Sequence, residues 1–297
     1  MAKGFVRLLG PVEFVDQDGN VVAVPSAAMR RLLAVLAISE GRVLRGEYLV
    51  NLLGVSPGAL RTTVSRLRSR IGEDSLRTDP LGYRLACDVD SAMFCELLGV
   101  DGRADPLARA EEALSLWKAA AAIEEFRHEP WAEIEATRLE ELRLVVIEEL
   151  AELLIARARA GEAVAMLEAH IANHPFRDRA RGLLMEALAG DGRQADALRA
   201  FQDYRTFLGD EAGTEPSAHV RSIEQRVAVG WHDVEGSAHA GPRRRDPSSS
   251  PGSTGRVQPG CSGTTSTPST SHAGMTRRDN GSATRLSSLS RSPQWAS

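Results

Sequence analysis

The stretch ALRTTVSRLRSRIG, Ala59 to Gly72, carries four arginines and no acid. Leu60, Val64, Leu67 and Ile71 recur at helical spacing, and on a helix they fall within a stripe roughly 60° wide. Such a stripe is a face buried on a core. Thr62, Ser65 and Ser69 lie opposite it, with Arg61 and Arg68 along one edge and Arg66 and Arg70 along the other. The outward face is then a narrow ridge of hydroxyls between two arginine rails. Arginines so placed reach phosphates on both walls of a DNA major groove or pair with a guanine edge, and small side chains between them let the helix enter. Four such contacts predict a log K against log salt slope of about −3 to −4. The plainer reading is a solvated surface helix. Against it, no glutamate neutralises the arginine row at i+4.

The surrounding elements fit a helix that must be held out towards DNA. FVRLLG, PVEFVD and VVAV within residues 1–25 read as short strands, separated by turn signals at Gly10-Pro11 and Asp18-Gly19-Asn20. Ser26 is a candidate N-cap for a helix AAMRRLLAVLAI with inner face Met29, Leu32, Leu33 and Leu36. A second helix covers roughly Gly46 to Leu53. Ser56-Pro57 supplies a cap and a first-turn proline for the basic helix, and Gly72 stops it. LRTD and YRLAC then form a hairpin around Pro80-Leu81-Gly82. Helix, helix, basic helix, hairpin is the order of a winged helix.

From Ser91 the grain changes to Ala, Leu, Glu and Arg with long 3.6-residue periodicity. Helices are expected in LARAEEALSLWKAAAAI, EIEATRLEELRLVVIEELAELLIARARA, AVAMLEAHIAN, RARGLLMEALAG, QADALRAFQDYRTFLG and SAHVRSIEQRV. ARAGEAVAMLEAHIANHP echoes LAGDGRQADALRAFQDYR, with Gly161 and Gly192 31 residues apart. That is near the tetratricopeptide length of about 34 residues. From Gly236 onward Ser, Thr, Pro, Gly and Arg dominate, a composition too poor in apolar surface to order itself. A GC-rich gene read out of frame yields the same composition, so a selected tail and a frameshift product both fit it. The fold class expected is mainly α with a small N-terminal β component. A winged helix-turn-helix domain spans 1–90, a tetratricopeptide-like helical repeat domain 91–230, and a disordered tail 231–297.

Charge follows the same division. The 297 residues carry a net charge of −4, distributed as +2 over residues 1–90, −12 over 91–235 and +6 over 236–297. A near-neutral head beside an acidic middle confines any nucleic-acid contact to one part of the chain. The longest apolar run, Leu32 to Ile38, is far too short for a bilayer span, so no membrane partner is expected. Three scattered cysteines, Cys87, Cys95 and Cys261, without a CxxC, fit a reduced cytosolic protein with no zinc cluster. No GxxxxGK, GxGxxG after a strand, or GxSxG occurs, so neither an enzyme nor a cofactor is expected. His170 and His174 stand at metal-binding spacing, but a helix C-terminus before Pro175 explains them better than a metal. Trp117 and Trp131 read as core. The row Glu140, Glu141, Glu148, Glu149, Glu152 reads as a mostly solvated face.

VSRLRSRIG followed by TDPLGYRL resembles the OmpR-type winged helix, and the LGPVEF opening resembles its version in SARP-type antibiotic regulatory proteins. LSLWKAAA, PWAEIEATRLEELRLVVIEEL and the HPFRDRARGLLMEALAGDGRQADAL run resemble the bacterial transcriptional activator domain, and Asp90 and Phe94 match the usual junction. The resemblance covers about residues 4–228. It implies a cytoplasmic, nucleoid-associated transcriptional activator that binds promoter direct repeats in double-stranded DNA as a homodimer. It implies RNA polymerase as a partner and a secondary-metabolite gene cluster as the target. It places Arg61, Thr62, Thr63, Ser65, Arg66, Arg68 and Arg70 on the recognition helix and Arg77, Thr78 and Gly82 in the wing, with Tyr83 a packing residue. Four features depart from the family pattern. The connection from Leu53 to Val64 is shorter than usual, Leu44 and Gly46 replace a polar cap and a helix former, and ALAGDGRQ lacks the usual tyrosine after ALA. Asp79 stands in the wing where it would repel phosphate. Two alternatives remain: an interaction scaffold without useful DNA affinity, and a binder that occludes promoters without activating.

Overall fold

The computed structural model describes residues 4–99 and 105–230. The sequence reading for the tail lies outside the described residues. Strands β1 (Phe5–Arg7), β2 (Glu13–Val15) and β3 (Val21–Val22) precede helix α1 (Ala27–Ile38). Then come β4 (Leu44–Arg45), α2 (Gly46–Leu53), α3 (Pro57–Ile71), β5 (Leu76–Asp79), β6 (Gly82–Leu85) and β7 (Asp88–Val89). The helical part consists of α4 (Asp90–Gly99), α5 (Pro106–Ser115), α6 (Pro130–Ala156), α7 (Ala160–Asn173), α8 (Asp178–Gly190), α9 (Gln194–Ala212) and α10 (Ala218–Val229). One sheet runs β3-β2-β1-β7, antiparallel except for the parallel β1–β7 pair. The other runs β4-β6-β5 and is antiparallel.

The three N-terminal strands, α1, α2, α3 and the hairpin lie where the residue patterns put them. Met29, Leu32, Leu33 and Leu36 of α1 are buried, as their spacing requires. Ser26 occupies the N-cap position, but its side chain makes no capping bond; only its carbonyl accepts, from the Met29 and Arg30 amides. Two strands had no sequence signal. β4 and β7 are two residues each, too short for alternation to show, and both exist by pairing with distant strands. Leu44 is thereby a strand residue rather than a missing cap. Helix α4 was also unread, because SAMFCELLG lacks a clear apolar period.

One expected helix breaks early. The run LARAEEALSLWKAAAAI stops being helical at Ser115, although four consecutive alanines follow Lys118. Alanine is the best helix former, so tertiary contacts must override it. They are visible. Leu8 and Leu9 are fully buried between β1 and β2, so their backbone polar groups need partners. The Lys118 amide donates to Leu9 O (2.8 Å), Ile123 N to Leu8 O (2.7 Å) and Glu124 N to Gly10 O (3.0 Å). Residues 116–123 thus form a strap laid across the β1–β2 turn. Gly10, at φ +146°, lets it pass: an added Cβ would lie 3.2 Å from the Ala119 amide. Arg143 of α6 fixes the strap from the other side, donating to the Ala119 and Ala120 carbonyls while its guanidinium lies 4.7 Å from the Trp117 ring.

The Leu8 and Leu9 amides donate to the Asp90 carboxylate at 2.7 and 3.2 Å, joining the head to the first residue of α4. Arg30–Glu125 (2.6 Å) and Arg31–Glu129 ion pairs add to that joint, with the Arg31 guanidinium also over the Phe126 ring. Buried residues from head and helices accordingly form one continuous core. Trp117 packs edge-on against Phe94 within it, and Trp131 leans on Phe126.

The helical repeat exists, in a register other than the one its glycines suggest. Arg159 and Arg193 are the N-cap residues of α7 and α9, 34 positions apart, each with an i,i+3 acid partner, Glu162 and Asp196. Ala163 and Ala197 are both fully buried. His170 and Tyr204 occupy the same buried step, with His170 Nε2 3.6 Å from Glu148 and Tyr204 donating to Asp178 at 3.0 Å. Ala158 (φ 58°) stands in the left-handed conformation where its counterpart is Gly192 (φ 78°). The visible glycine, Gly161, is one turn off. The acidic row is likewise corrected: Glu148 is buried and Arg177 donates to it at 2.6 Å, while Glu140, Glu141 and Glu152 pair with Arg127, Arg177 and Arg179.

Candidate nucleic-acid interface

Helix α3 begins with its cap made: the Ala59 amide donates to Ser56 Oγ at 3.2 Å, and Pro57 occupies the first turn. Three residues, 54–56, join it to α2. Gly54 takes the left-handed conformation (φ 62°) and the Val55 amide donates back to Val50 O at 3.1 Å, so the chain reverses in one tight turn. At the other end Gly72 (φ 90°) stops the helix, its amide donating to Arg68 O. Leu60, Val64, Leu67 and Ile71 are all buried, at 0–5% exposure. That stripe fixes the rotation of α3 and determines which side chains face out.

Arg61, Thr62, Ser65, Arg66, Ser69 and Arg70 are exposed; Thr63 and Arg68 are half-buried. The hydroxyls of Thr62 and Thr63 donate to the Gly58 and Ala59 carbonyls at 3.0 and 2.9 Å, and Ser69 donates to Arg66 O at 2.8 Å. Arg61, Arg66 and Arg70 have no side-chain hydrogen bond or ion pair among the described residues. Arginines of the helical part behave differently: Arg157, Arg205 and Arg226 pair with Asp105, Glu215 and Glu186.

Arg68 is placed apart from the other three. It donates from Nε to the Leu76 carbonyl (2.9 Å) and from Nη2 to Thr78 Oγ1 (2.8 Å), so helix and wing are bridged by one guanidinium. Arg77 is exposed, 3.9 Å from the still more exposed Asp74, a weak pair in high dielectric. Gly82 faces Arg45 and Asp79 across two ladders, and an added Cβ would lie 1.9 Å from Leu44 O. Its position therefore answers to the close approach of β4. Asp79 is occupied locally: the Leu81 amide donates to its Oδ1 at 3.1 Å and closes the wing turn. Tyr83 is half-buried against the core, as a packing residue should be.

One residue of this face went unread in the sequence. Arg45 is exposed, ends β4 as the N-cap residue of α2 and pairs in register with Gly82, which sets a further cation beside the wing. Only the β4–β6 ladder brings it there. His170, by contrast, is buried with its ring tilted against that of His174, centroids 5.3 Å apart, and among the described residues no three His, Cys, Asp or Glu side chains gather as a metal site.

This architecture is a winged helix-turn-helix head joined to a module of paired helical repeats. Residues 90–228 match the bacterial transcriptional activator domain. The chain is 34% identical over 238 residues to regulatory protein AfsR of Streptomyces griseus, an alignment covering 74% of this chain and 24% of AfsR. It is 33% identical over 241 residues to transcriptional regulator RedD of Streptomyces coelicolor, covering 73% of this chain and 68% of RedD. The structure of Mycobacterium tuberculosis EmbR in complex with a low affinity phosphopeptide superposes with a TM-score of 0.65 at 28% identity, covering 77% of this chain and 66% of that one. The chain belongs to the SARP family of transcriptional regulators, and it spans about a quarter of the length of AfsR.

Proposed function

We propose that this protein is a sequence-specific activator that reads double-stranded DNA with α3. The observation that carries the reading is the outward face of α3: three exposed arginines without partners among the described residues, on a helix whose rotation is fixed by a buried stripe. Arg61, Arg66 and Arg70 neutralise phosphates or pair with guanine, and Thr62, Thr63 and Ser65 approach the groove. Arg77, Thr78, Gly82 and the added Arg45 form the wing side of the same surface. Family membership supports the rest: a homodimer on promoter direct repeats, contact with RNA polymerase, and control of a secondary-metabolite cluster from the cytoplasm. Among the described residues no helix is long and apolar enough to cross a membrane.

Selection of the full chain against a random duplex pool tests this reading. It predicts enrichment of spaced direct repeats by the wild type and loss of enrichment by Arg66→Ala. An unenriched pool leaves the scaffold reading standing.

The three-residue turn between α2 and α3 favours a second reading. In OmpR-type proteins, which this head resembles, that connection contacts polymerase, and here it is closed tightly on α2. A binder so built occupies a promoter without activating it. Under this second reading, lengthening the turn raises reporter transcription from the selected operator; unchanged transcription counts against it.

A further inference from the structure

Four arginines share α3, and only one of them is tied into the fold. Arg68 uses the Nε and Nη2 edge of its guanidinium on the Leu76 carbonyl and the Thr78 hydroxyl, two groups on the same strand of the wing. That edge is one of the two along which a guanidinium grips phosphate or guanine bidentately. It is half-buried, whereas Arg61, Arg66 and Arg70 are exposed. No carboxylate bonds it among the described residues; its partners are neutral, one of them a backbone group. Among the described residues the β5–β6 hairpin has the two-residue β4 as its further strand partner, and Leu76 and Leu85 anchor its base in the core. Further out along β5, Arg68 ties the wing to α3 by two hydrogen bonds at 2.8–2.9 Å.

We propose that Arg68 is a positioning residue that locks the wing to the recognition helix and acts on DNA through Thr78 and the wing, not as a fourth phosphate contact. The proposal rests on α3 being the recognition helix. It divides the four arginines into three that touch DNA and one that sets where the second contact surface lies.

The test is a salt titration of the full-length protein on its selected operator. Wild type is compared with Arg66→Ala, Arg68→Ala, Arg68→Lys, Thr78→Val and the double variant Arg68→Ala/Thr78→Val. Arg66→Ala, as a phosphate contact, lowers the salt slope by about 1. Arg68→Ala weakens binding on the order of tenfold, and because it frees the wing that carries Arg77, any slope it loses is not restored by Arg68→Lys. Arg68→Lys keeps the charge but loses the planar fork, so it binds as weakly as Arg68→Ala. Thr78→Val weakens binding in the same manner, and the double variant is no weaker than Arg68→Ala, because both remove one bridge. On a duplex trimmed from the flank beneath the wing, wild type and Arg68→Ala bind alike. The proposal is overturned if Arg68→Ala flattens the slope as Arg66→Ala does and Arg68→Lys restores it, or if the Arg68→Ala deficit persists on the trimmed duplex. Thr78→Val and Arg68→Lys are small enough changes to keep the test open should Arg68→Ala unfold. A slope indifferent to Arg66→Ala instead removes α3 as the recognition helix, and the proposal with it.

Discussion

A methyl group on Gly82 has no room: its Cβ would sit 1.9 Å from the Leu44 carbonyl oxygen and 2.9 Å from the Arg45 Cα. Both neighbours are backbone and cannot swing aside. Gly82→Ala is expected to cost about 1–3 kcal/mol, the usual range for overpacking, and to part β4 from β6. Urea unfolding measures it; a variant as stable as wild type would contradict the contact. Asp90 gives a pH prediction with a definite sign. Burial pushes its carboxyl from the ordinary 3.8 up to about 6, against the Leu8 and Leu9 amides that pull it down. The folded state thus prefers the protonated acid. Its contribution is fully present below pH 3.8 and is lost as pH rises through 6. Measured against Asp90→Asn, wild-type stability should rise as pH falls from 7 to 4; a difference that stays level across that range counts against the shift. The buried stripe of α3 was legible because a helical face follows from spacing alone. Gly82 and Asp90 were legible only as motif positions. What they touch is set by strands far away in sequence.

At the scale of elements, local propensity failed where the head and the helices meet. The segment Lys118 to Ile123 is helix-forming by composition, yet it lies as a strap, with Ile123 held at a positive φ of 50°. No sequence window contains the Leu8–Gly10 carbonyls that hold it there. A peptide of residues 106–123 lacks those carbonyls and should show helical NMR shifts continuing past Ser115. A break at Ser115 in the free peptide would mean that the stop is local. The repeat was legible as an echo but not in register, because the turn before α7 uses Ala158 where the next repeat uses Gly192. A left-handed alanine is strained by about 1 kcal/mol or more. Ala158→Gly is therefore expected to raise stability by up to about 1 kcal/mol, the reverse of the usual cost of glycine. Thermal unfolding reads the sign, and a lower melting temperature would contradict the assignment of strain.

Across the whole molecule, charge and packing serve one arrangement. Residues 91–235 carry a net charge of −12, and the arginines of the helical part named above pair with acids of that part. Among the described residues the exposed arginines of α3 do not. A polyanion is repelled by the first surface and drawn to the second, so the field orients the protein before any contact forms. The strap, Asp90 and the Arg30 and Arg31 ion pairs fasten the head to the helices, which makes the direction of α3 a property of both. The division of charge was legible from counting residues. The joint was not, because the strap's bonds run between backbone groups that any sequence possesses and its side-chain pairs join residues about 80–100 positions apart. The measurement closest to the central claim is the salt dependence of operator binding by the full chain and by Arg61→Ala, Arg66→Ala and Arg70→Ala. The account predicts a steep slope for wild type, lowered by about 1 in each variant. A shallow slope that none of the three changes would mean that α3 faces solvent and reads nothing.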